Sequence, residues 1–386
     1  MFPSVPLLHL ILVALTAHIA LAGSRITTSL YALSMHASEF TVGVLIALFS
    51  LFPMLCAVPA GRLIDRIGIM RPMLVGSIAM AMGCALPGLV SGMPVLFLAT
   101  MLIGTGFMVI QISAQHTVGA VSTQEKRAAN YSWLALGFSI SGFAGPVLAG
   151  LIIDDAPYFA AYLVFGCFAA GAATLVLFGK LSEMRGHAVQ EPAESGNALD
   201  LLRLPDMRHI FIVGMLLSSA WDLFTFVLPI HGARSGFAAS TIGLILGCFS
   251  AATFMVRLAM PLIARRFNEW QVLAGALVLA AFCYAVFPFM RQPLSLMVVA
   301  AILGLAVGSA QPNMLALLHH VAPPGRAGEA VGIRVTIGNA CQVFLPLAFG
   351  GAGAALGLTA VFWGMTAMIG AGLPIAWRKT VLSKAE

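Results

Sequence analysis

Charged side chains are scarce in this sequence. Asp, Glu, Lys and Arg make up 9% of the 386 residues, whereas hydrophobic residues make up 60%. Soluble globular domains carry roughly a quarter charged residues. The charges gather in short clusters that separate apolar runs of about 20 residues, the length that crosses a bilayer. The composition therefore excludes a water-soluble fold and predicts an all-α integral membrane protein.

Several signatures of chemistry are also missing. The six cysteines lie inside apolar runs without CxxC or Cys/His spacing, so we expect core thiols and no metal site. HExxH, GxSxG and phosphate-binding loops are absent, which argues against an enzyme and against a bound cofactor. We expect a proton or ion gradient to supply the energy instead. The net charge of +6 forms no basic face, so nucleic acid is not an expected partner. We expect a monomer that contacts lipid and a small-molecule solute.

Twelve apolar runs predict twelve transmembrane helices. The first run is too long for a signal-peptide core, so we expect it to remain in the mature protein. A polar stretch, residues 180–208, has the composition of a linker and separates a six-helix half at 1–179 from one at 209–386. The predicted helices are Leu7–Tyr31, Thr41–Ala60, Pro72–Val90, Val95–Val118, Asn130–Ile153, Tyr158–Phe178, Ile210–Ile230, Thr241–Ile263, Gln271–Phe289, Leu294–Leu318, Ala330–Gly350 and Ala355–Trp377.

Basic residues are distributed unevenly between alternate loops. One set of loops, together with the C-terminal tail, holds fifteen Lys and Arg residues, and the opposite set holds only Arg234 and Arg291. Basic residues near helix ends are retained in the cytoplasm. We therefore expect both termini and the linker to be cytoplasmic in a multi-pass protein of the bacterial inner (plasma) membrane.

The two halves repeat with an offset of 200 residues. The matched pairs are Gly43 and Gly243, Phe49 and Phe249, Ser50 and Ser250, Arg66 and Arg266, Gly104 and Gly304, Gln111 and Gln311, Pro146 and Pro346, and Gly150 and Gly350. A constant offset over more than a hundred residues predicts two related bundles.

The segment GRLIDRIGIMR separates the second and third predicted helices. It resembles the signature loop of the major facilitator superfamily, roughly G-x-L-x-D-R-x-G-R-[RK], although Ile69 stands where that family has Arg. The resemblance implies two pseudo-symmetric six-helix bundles, and a gate in which the aspartate lies near a helix N-terminus and pairs with basic residues of the other half. The matching residues are Gly61, Leu63, Asp65, Arg66, Gly68 and Arg71.

The fifth predicted helix carries GFAGPVLAG, which contains Gly142, Gly145, Pro146 and Gly150. It resembles the glycine-proline motif of the drug-exporting antiporter branch, where a kink and a small-residue face allow close packing between the halves. Ordinary helix packing explains the same residues equally well. Thr100 stands where antiporters of that branch carry an arginine, so the resemblance favours export without implying how export is coupled.

Ionisable groups inside a bilayer are costly and mark functional sites. The offset maps Asp222 onto position 22, one turn from Arg25, or about 4.5 Å in depth. The resemblance places the first and seventh helices on opposite sides of a central cavity, so we predict that Arg25 and Asp222 approach there. A static ion pair that only fixes packing is the alternative. Arg334 can snorkel to the interface, and for Arg257 packing or gating competes with substrate contact.

Polar side chains at cavity depth complete the predicted site, although each could instead bond two packed helices. They are Gln111 and Gln115 on one face of the fourth helix, Gln311 and Asn313 in the tenth, Trp221 beside Asp222, and His18 in the first.

The function that these patterns favour is secondary active transport of a small organic solute by alternating access, as a proton-coupled efflux antiporter. Three intramembrane arginines against one aspartate favour an alternative, movement of an organic anion or metabolite by uptake or uniport. A membrane sensor or scaffold that does not transport is the alternative from another class.

Overall fold

The computed structural model describes residues 5–121, 124–179, 198–323 and 327–382, and every regular element in these ranges is helical. A 3-10 turn, Phe287–Phe289, continues the tenth α-helix. The helices are α1 (Val5–Ser34), α2 (Glu39–Ile67), α3 (Met70–Leu89), α4 (Met93–Val121), α5 (Gln124–Asp155), α6 (Tyr158–Phe178), α7 (Ala198–Arg203), α8 (Pro205–Arg234), α9 (Ala239–Ile263), α10 (Glu269–Val286), α11 (Pro293–Val321), α12 (Ala327–Leu356) and α13 (Leu358–Leu382).

Twelve helices of the described ranges are long and apolar enough to cross a membrane. Their mean hydropathy lies between 1.3 and 2.3, and the remaining helix, α7, has six residues. The number of spans predicted from the apolar runs is therefore confirmed. Most helices begin and end a few residues beyond the predicted bounds, because polar residues at helix ends continue the backbone hydrogen bonding outside the apolar run.

The predicted linker, 180–208, is partly helical. Residues 180–197 lie outside the described residues, but α7 follows them directly and α8 begins at Pro205, before the predicted start at Ile210. Proline suits the first turn of a helix, because its missing N–H would have no intrahelical partner there. Residues 198–208 are therefore mostly helical, where the composition predicts a linker.

The chain divides into two compact units. The first unit comprises Met1–Val189 with Gly232–Gly247, and the second comprises Gln190–His231 with Cys248–Glu386. The segment Gly232–Gly247, which joins the end of α8 to the start of α9, therefore packs with helices of the first half of the chain.

One close helix contact recurs in each unit at the 200-residue offset. A Cβ on Gly104 would lie 2.2 Å from the carbonyl oxygen of Phe49, and one on Gly304 would lie 2.3 Å from that of Phe249. Only glycine lets the backbones approach so closely. The sequence repeat is thus present in the packing of α2 on α4 and of α9 on α11.

The ends of α1 and α8 also repeat. The N–H groups of His36 and Ala37 donate to Leu33 (2.9 Å) and Ala32 (3.0 Å), and those of Gly236 and Phe237 donate to Ala233 (3.1 Å) and Gly232 (3.0 Å). Each pair forms a Schellman turn, which requires a left-handed residue after the helix. His36 (φ 59°) and Gly236 (φ 75°) occupy that position.

Candidate functional site

His18 lies in α1 and contacts two neighbouring helices of the first unit. Its Nδ1 is 2.6 Å from the hydroxyl of Ser141, which itself donates to the carbonyl of Gly137 at 2.9 Å. When the Ser141 hydroxyl donates its proton to Gly137, Nδ1 of His18 must carry the ring proton and donate it to the Ser141 oxygen. Nε2 of His18 is then unprotonated and can accept a hydrogen bond. The imidazole also packs 5.2 Å from Phe107 and 5.1 Å from Phe138. His18 therefore joins α1 to α4 and α5.

Arg25 lies about two turns further along α1 and is half-buried. On α4, Gln111 is half-buried and Gln115 is exposed. The backbone carbonyl of Gln115 accepts a hydrogen bond from the hydroxyl of Tyr131 at 3.0 Å.

Asp222 lies in the middle of α8, in the second unit, and is 6% exposed. Within the described residues, the buried acidic side chains are Asp222 and Glu39. Close to Asp222 in α8, the carbonyl of Ala220 accepts a hydrogen bond from the hydroxyl of Tyr284 in α10, and the hydroxyl of Ser219 donates to Sγ of Cys341 in α12 at 3.6 Å. Arg25 belongs to the first unit and Asp222 to the second, so their approach stays a prediction.

Trp221 points about 100° away from Asp222 around α8, as consecutive residues of a helix do. Its indole packs edge-on against Phe249 with ring centroids 4.7 Å apart. The guanidinium of Arg257 lies 5.9 Å from the Trp221 ring centroid, and its Nη2 donates to Oε1 of Gln311 at 3.1 Å. Two residues of the predicted site, Trp221 and Gln311, are thus joined through Arg257.

In the sequence, Arg257 lies close to Arg265 and Arg266, so packing or gating near that surface competes with substrate contact. In the structure it contacts two residues of the predicted site, Trp221 and Gln311. Its charge within an apolar run was the available signal, but its partners lie 36 and 54 positions away along the chain.

Asn313 packs within the second unit. Its amide nitrogen donates to the carbonyl of Ser309 at 2.7 Å and contacts Sδ of Met260 at 3.3 Å. The residue is buried, and these contacts use its donor groups between α9 and α11. The structure therefore supports the helix-packing alternative for Asn313.

The glycine-proline motif of α5 makes close contacts within the first unit. Gly142 lies in the same helix, one turn before Pro146. A Cβ on Gly145 would lie 2.9 Å from the backbone nitrogen of Gly23, and one on Gly150 would lie 2.3 Å from the carbonyl oxygen of Ala239. The carbonyl of Pro146 lies 2.4 Å from a Cβ built on Gly243. The motif thus packs α5 against α1 and the first turns of α9.

The signature segment is helical as far as Ile67 rather than a loop. Gly61 and Asp65 lie in the last part of α2, and the surroundings of Gly61 and of the Asp65 side chain lie outside the described residues. Gly68 ends the helix with φ 77° and donates to the carbonyl of Ile64 at 2.9 Å. Arg66 and Arg71 are exposed on either side of that turn.

Two charged contacts lie where α2, α5, α8 and α9 meet in the first unit. Glu39, in the first turn of α2, pairs with Arg234 at 2.8 Å. The carboxylate of Asp154 accepts hydrogen bonds from the N–H groups of Ala239 (2.6 Å) and Ser240 (3.1 Å). Sequence patterns did not indicate these contacts, since each partner lies just outside the predicted helices, where polar residues are common.

Twelve spans, two units with repeated contacts, and polar side chains within the spans suit a carrier. The model of the family described as Major Facilitator Superfamily matches residues 10–346 and, in a second match, 210–385. The chain belongs to the major facilitator superfamily. It is a multi-pass membrane transporter and not an enzyme, which also favours transport over the sensor or scaffold alternative.

Relatives within the superfamily are distant. Multidrug resistance protein 2 of Bacillus subtilis (strain 168) is 23% identical over 356 residues, which cover 89% of this chain and 88% of that protein. The uncharacterised MFS-type transporter YddS of the same organism is 24% identical over 313 residues, with 74% of this chain and 70% of that protein covered.

Solved structures of the superfamily share the fold. A POT family transporter in complex with a thioalcohol-conjugated peptide has a TM-score of 0.79 at 12% identity and covers 98% of this chain and 96% of that chain. A bacterial homologue of the human lysosomal transporter Spinster has a TM-score of 0.74 at 15% identity, covering 96% and 94%. At these identities the likeness shows the superfamily fold and no shared substrate.

Proposed function

We propose that this transporter exports a small organic solute across the bacterial inner membrane by alternating access, in exchange for protons. The observation that carries the proposal is Asp222, a 6% exposed carboxylate in the middle of a membrane span. A carboxylate there is costly to keep charged, so its protonation changes readily with its surroundings. A carrier can couple a proton gradient to solute movement through such a group.

Two further observations support export. The relative with 89% coverage is named a multidrug resistance protein. The α5 motif that resembles the export branch packs α5 tightly against α1 and α9 through Gly145 and Gly150. The excess of basic residues in one set of loops supports a topology with both termini in the cytoplasm. We take the transporter to act as a monomer.

The decisive experiment follows protons in proteoliposomes that contain a pH-sensitive dye. A panel of lipophilic cations and a panel of organic acids are added to wild type and to Asp222→Asn. We expect solute-driven proton movement in wild type and its loss in Asp222→Asn, while solute exchange without a gradient persists. Asp155→Asn, which neutralises an exposed carboxylate at the end of α5, is the matched control. Unchanged coupling in Asp222→Asn would refute the proposed role of this residue.

A second candidate function is transport of an organic anion without a proton. Arg25, Arg257 and Arg334 place three cationic side chains in membrane spans. Within the described residues, the twelve spans together hold one buried acid in mid-helix, Asp222. If no solute drives proton movement, but organic acids are still transported and Asp222→Asn leaves that transport unchanged, this second function replaces the first.

A further inference from the structure

We propose that Arg257, Trp221 and Gln311 form a binding subsite for a planar aromatic carboxylate. The inference rests on the proposed transport of small organic solutes and gives that transport a substrate class. All three residues belong to the second unit and come from three helices, α8, α9 and α11.

The charge of Arg257 lacks an internal counter-ion. Within the described residues, no carboxylate lies within 4.0 Å of its guanidinium, and its side chain makes one hydrogen bond, to Gln311. A guanidinium has five N–H donors in a planar fork, so four remain for another acceptor. A cation within a membrane span is costly unless an anion or water compensates it. An external carboxylate, which accepts two parallel hydrogen bonds from this fork, supplies that compensation.

The neighbouring side chains argue against a lipid-facing position. Gln311 is exposed and polar, and Arg257 and Trp221 are only half-buried. A polar amide and a guanidinium turned together toward hydrocarbon would both remain unsolvated, which membrane spans avoid. The face formed by these three side chains therefore suits contact with water or solute.

The backbone that carries Arg257 is held rigidly. A Cβ on Gly304 or Gly308 would clash with α9, at 2.3 Å from the Phe249 carbonyl oxygen and 2.9 Å from the Thr253 Cα. On the following turns, Asn313 contacts Met260. Arg257 lies between these contacts, so α9 and α11 position it before any ligand arrives. Such preorganisation lowers the entropy that binding must overcome.

Trp221 provides the preference for a ring. Its indole is held edge-on against Phe249 at an interplanar angle of 68°, and its face lies toward the guanidinium of Arg257 at 5.9 Å. Aromatic rings prefer such offset or edge contacts with one another, and a guanidinium also stacks on a ring. A flat ring that carries a carboxylate can use both the indole and the guanidinium, whereas an aliphatic acid can use only the guanidinium.

The test compares 2-naphthoate with the uncharged 2-naphthamide by isothermal titration calorimetry on the purified full chain in nanodiscs. We expect wild type to bind 2-naphthoate about tenfold or more tightly than 2-naphthamide, which is the usual effect of one charged hydrogen-bonding partner. Arg257→Gln should lose this discrimination. Arg257→Lys should recover only part of it, because an ammonium is a point charge without the planar fork.

Two variants separate binding from packing. Gln311→Leu removes the hydrogen bond that orients the guanidinium but keeps its charge, so 2-naphthoate should bind more weakly than to wild type yet still more tightly than 2-naphthamide. Arg265→Gln removes an equal charge at an exposed position outside the subsite and should leave affinity unchanged. Wild-type affinity in a folded Arg257→Gln, equal loss in Arg265→Gln, or equal binding of acid and amide by wild type would overturn the proposal.

The subsite and the proposed coupling can fail separately. Tight 2-naphthoate binding without proton movement through Asp222 would retain the subsite and remove proton coupling. Proton movement with other solutes, together with unchanged binding in Arg257→Gln, would retain coupling and remove the subsite.

Discussion

Glu39 and Arg234 form an ion pair whose two partners differ sharply in exposure. The nitrogen and oxygen atoms are 2.8 Å apart, yet the Glu39 side chain is 1% exposed and the Arg234 side chain 55%. Within the described residues, the polar group that contacts the Glu39 carboxylate is the guanidinium of Arg234. The pair joins the first turn of α2 to the end of α8. Because one partner is buried and the other exposed, replacing one should not cost the same stability as replacing the other.

Replacing Arg234 should therefore be more harmful than replacing Glu39. Arg234→Gln leaves a buried carboxylate without its charged partner, which costs about 1–3 kcal/mol of unfolding free energy. Glu39→Gln leaves an exposed guanidinium that water solvates, so the loss should be below about 1 kcal/mol. Denaturant unfolding in detergent measures both values. The double variant is the control, and equal losses in the two single variants would contradict this account.

Asp154 performs the N-capping of α9 from another helix. In α2, Ser38 caps its own helix by accepting from the N–H of Thr41 at 3.1 Å. The position at the 200-residue offset is Ala238, which has no side-chain acceptor, and Asp154 accepts from Ala239 and Ser240 instead. Asp154→Ala should cost about 1 kcal/mol, the usual value of a lost N-cap. Ala238→Ser in that background should restore part of the stability, and a thermal-shift assay that shows no loss in Asp154→Ala would refute the capping role.

Gly150 in the α5 motif leaves no space for a methyl group. A Cβ there would lie 2.3 Å from the carbonyl oxygen of Ala239, so Gly150→Ala must push α5 and α9 apart. We expect about 1–3 kcal/mol of destabilisation together with reduced transport. Gly171→Ala in α6 is the matched control, because its Cβ would meet nothing within 4 Å and alanine favours helix. Equal melting temperatures for the two variants would contradict the packing argument.

Gly68 is constrained by its backbone rather than by its neighbours. Its φ is 77°, and an added Cβ would meet nothing within 4 Å. Its ψ is 177°, so the backbone lies in a region that essentially only glycine adopts, and Gly68→Ala should cost about 1–3 kcal/mol through backbone strain alone. Gly68→Asn should cost about as much, since the tolerance of asparagine for positive φ is mostly confined to the left-handed helical region. Solute transport in vesicles and thermal stability should fall to a similar extent in both variants, and an alanine variant as active and stable as wild type would disprove the strain argument.

The site could be predicted only in part. Asp222 and Arg25 stood out because a charge in an apolar run has no other common explanation. The amide nitrogen of Asn313 contacts Ser309 and Met260, which favours the packing alternative for this residue. Composition also suggested a longer linker, yet α8 begins at Pro205.

The sequence by itself determined how many times the chain crosses the membrane and where its two halves repeat. Insertion into a bilayer depends on a local run of about 20 apolar residues, so the spans can be predicted from the sequence without knowledge of tertiary contacts. Even the glycines at Gly104 and Gly304 could be paired through the offset alone.

The tertiary structure decided which side chains meet. Arg257 reaches Trp221 and Gln311, and Asp154 reaches Ala239, across separations that no helical period encodes. Lipid-facing and core positions are equally apolar, so the hydrophobicity of a membrane helix does not determine which other helix packs against it. That choice depends on close backbone approach and on the few polar groups that require partners, and both exist only once the helices have packed.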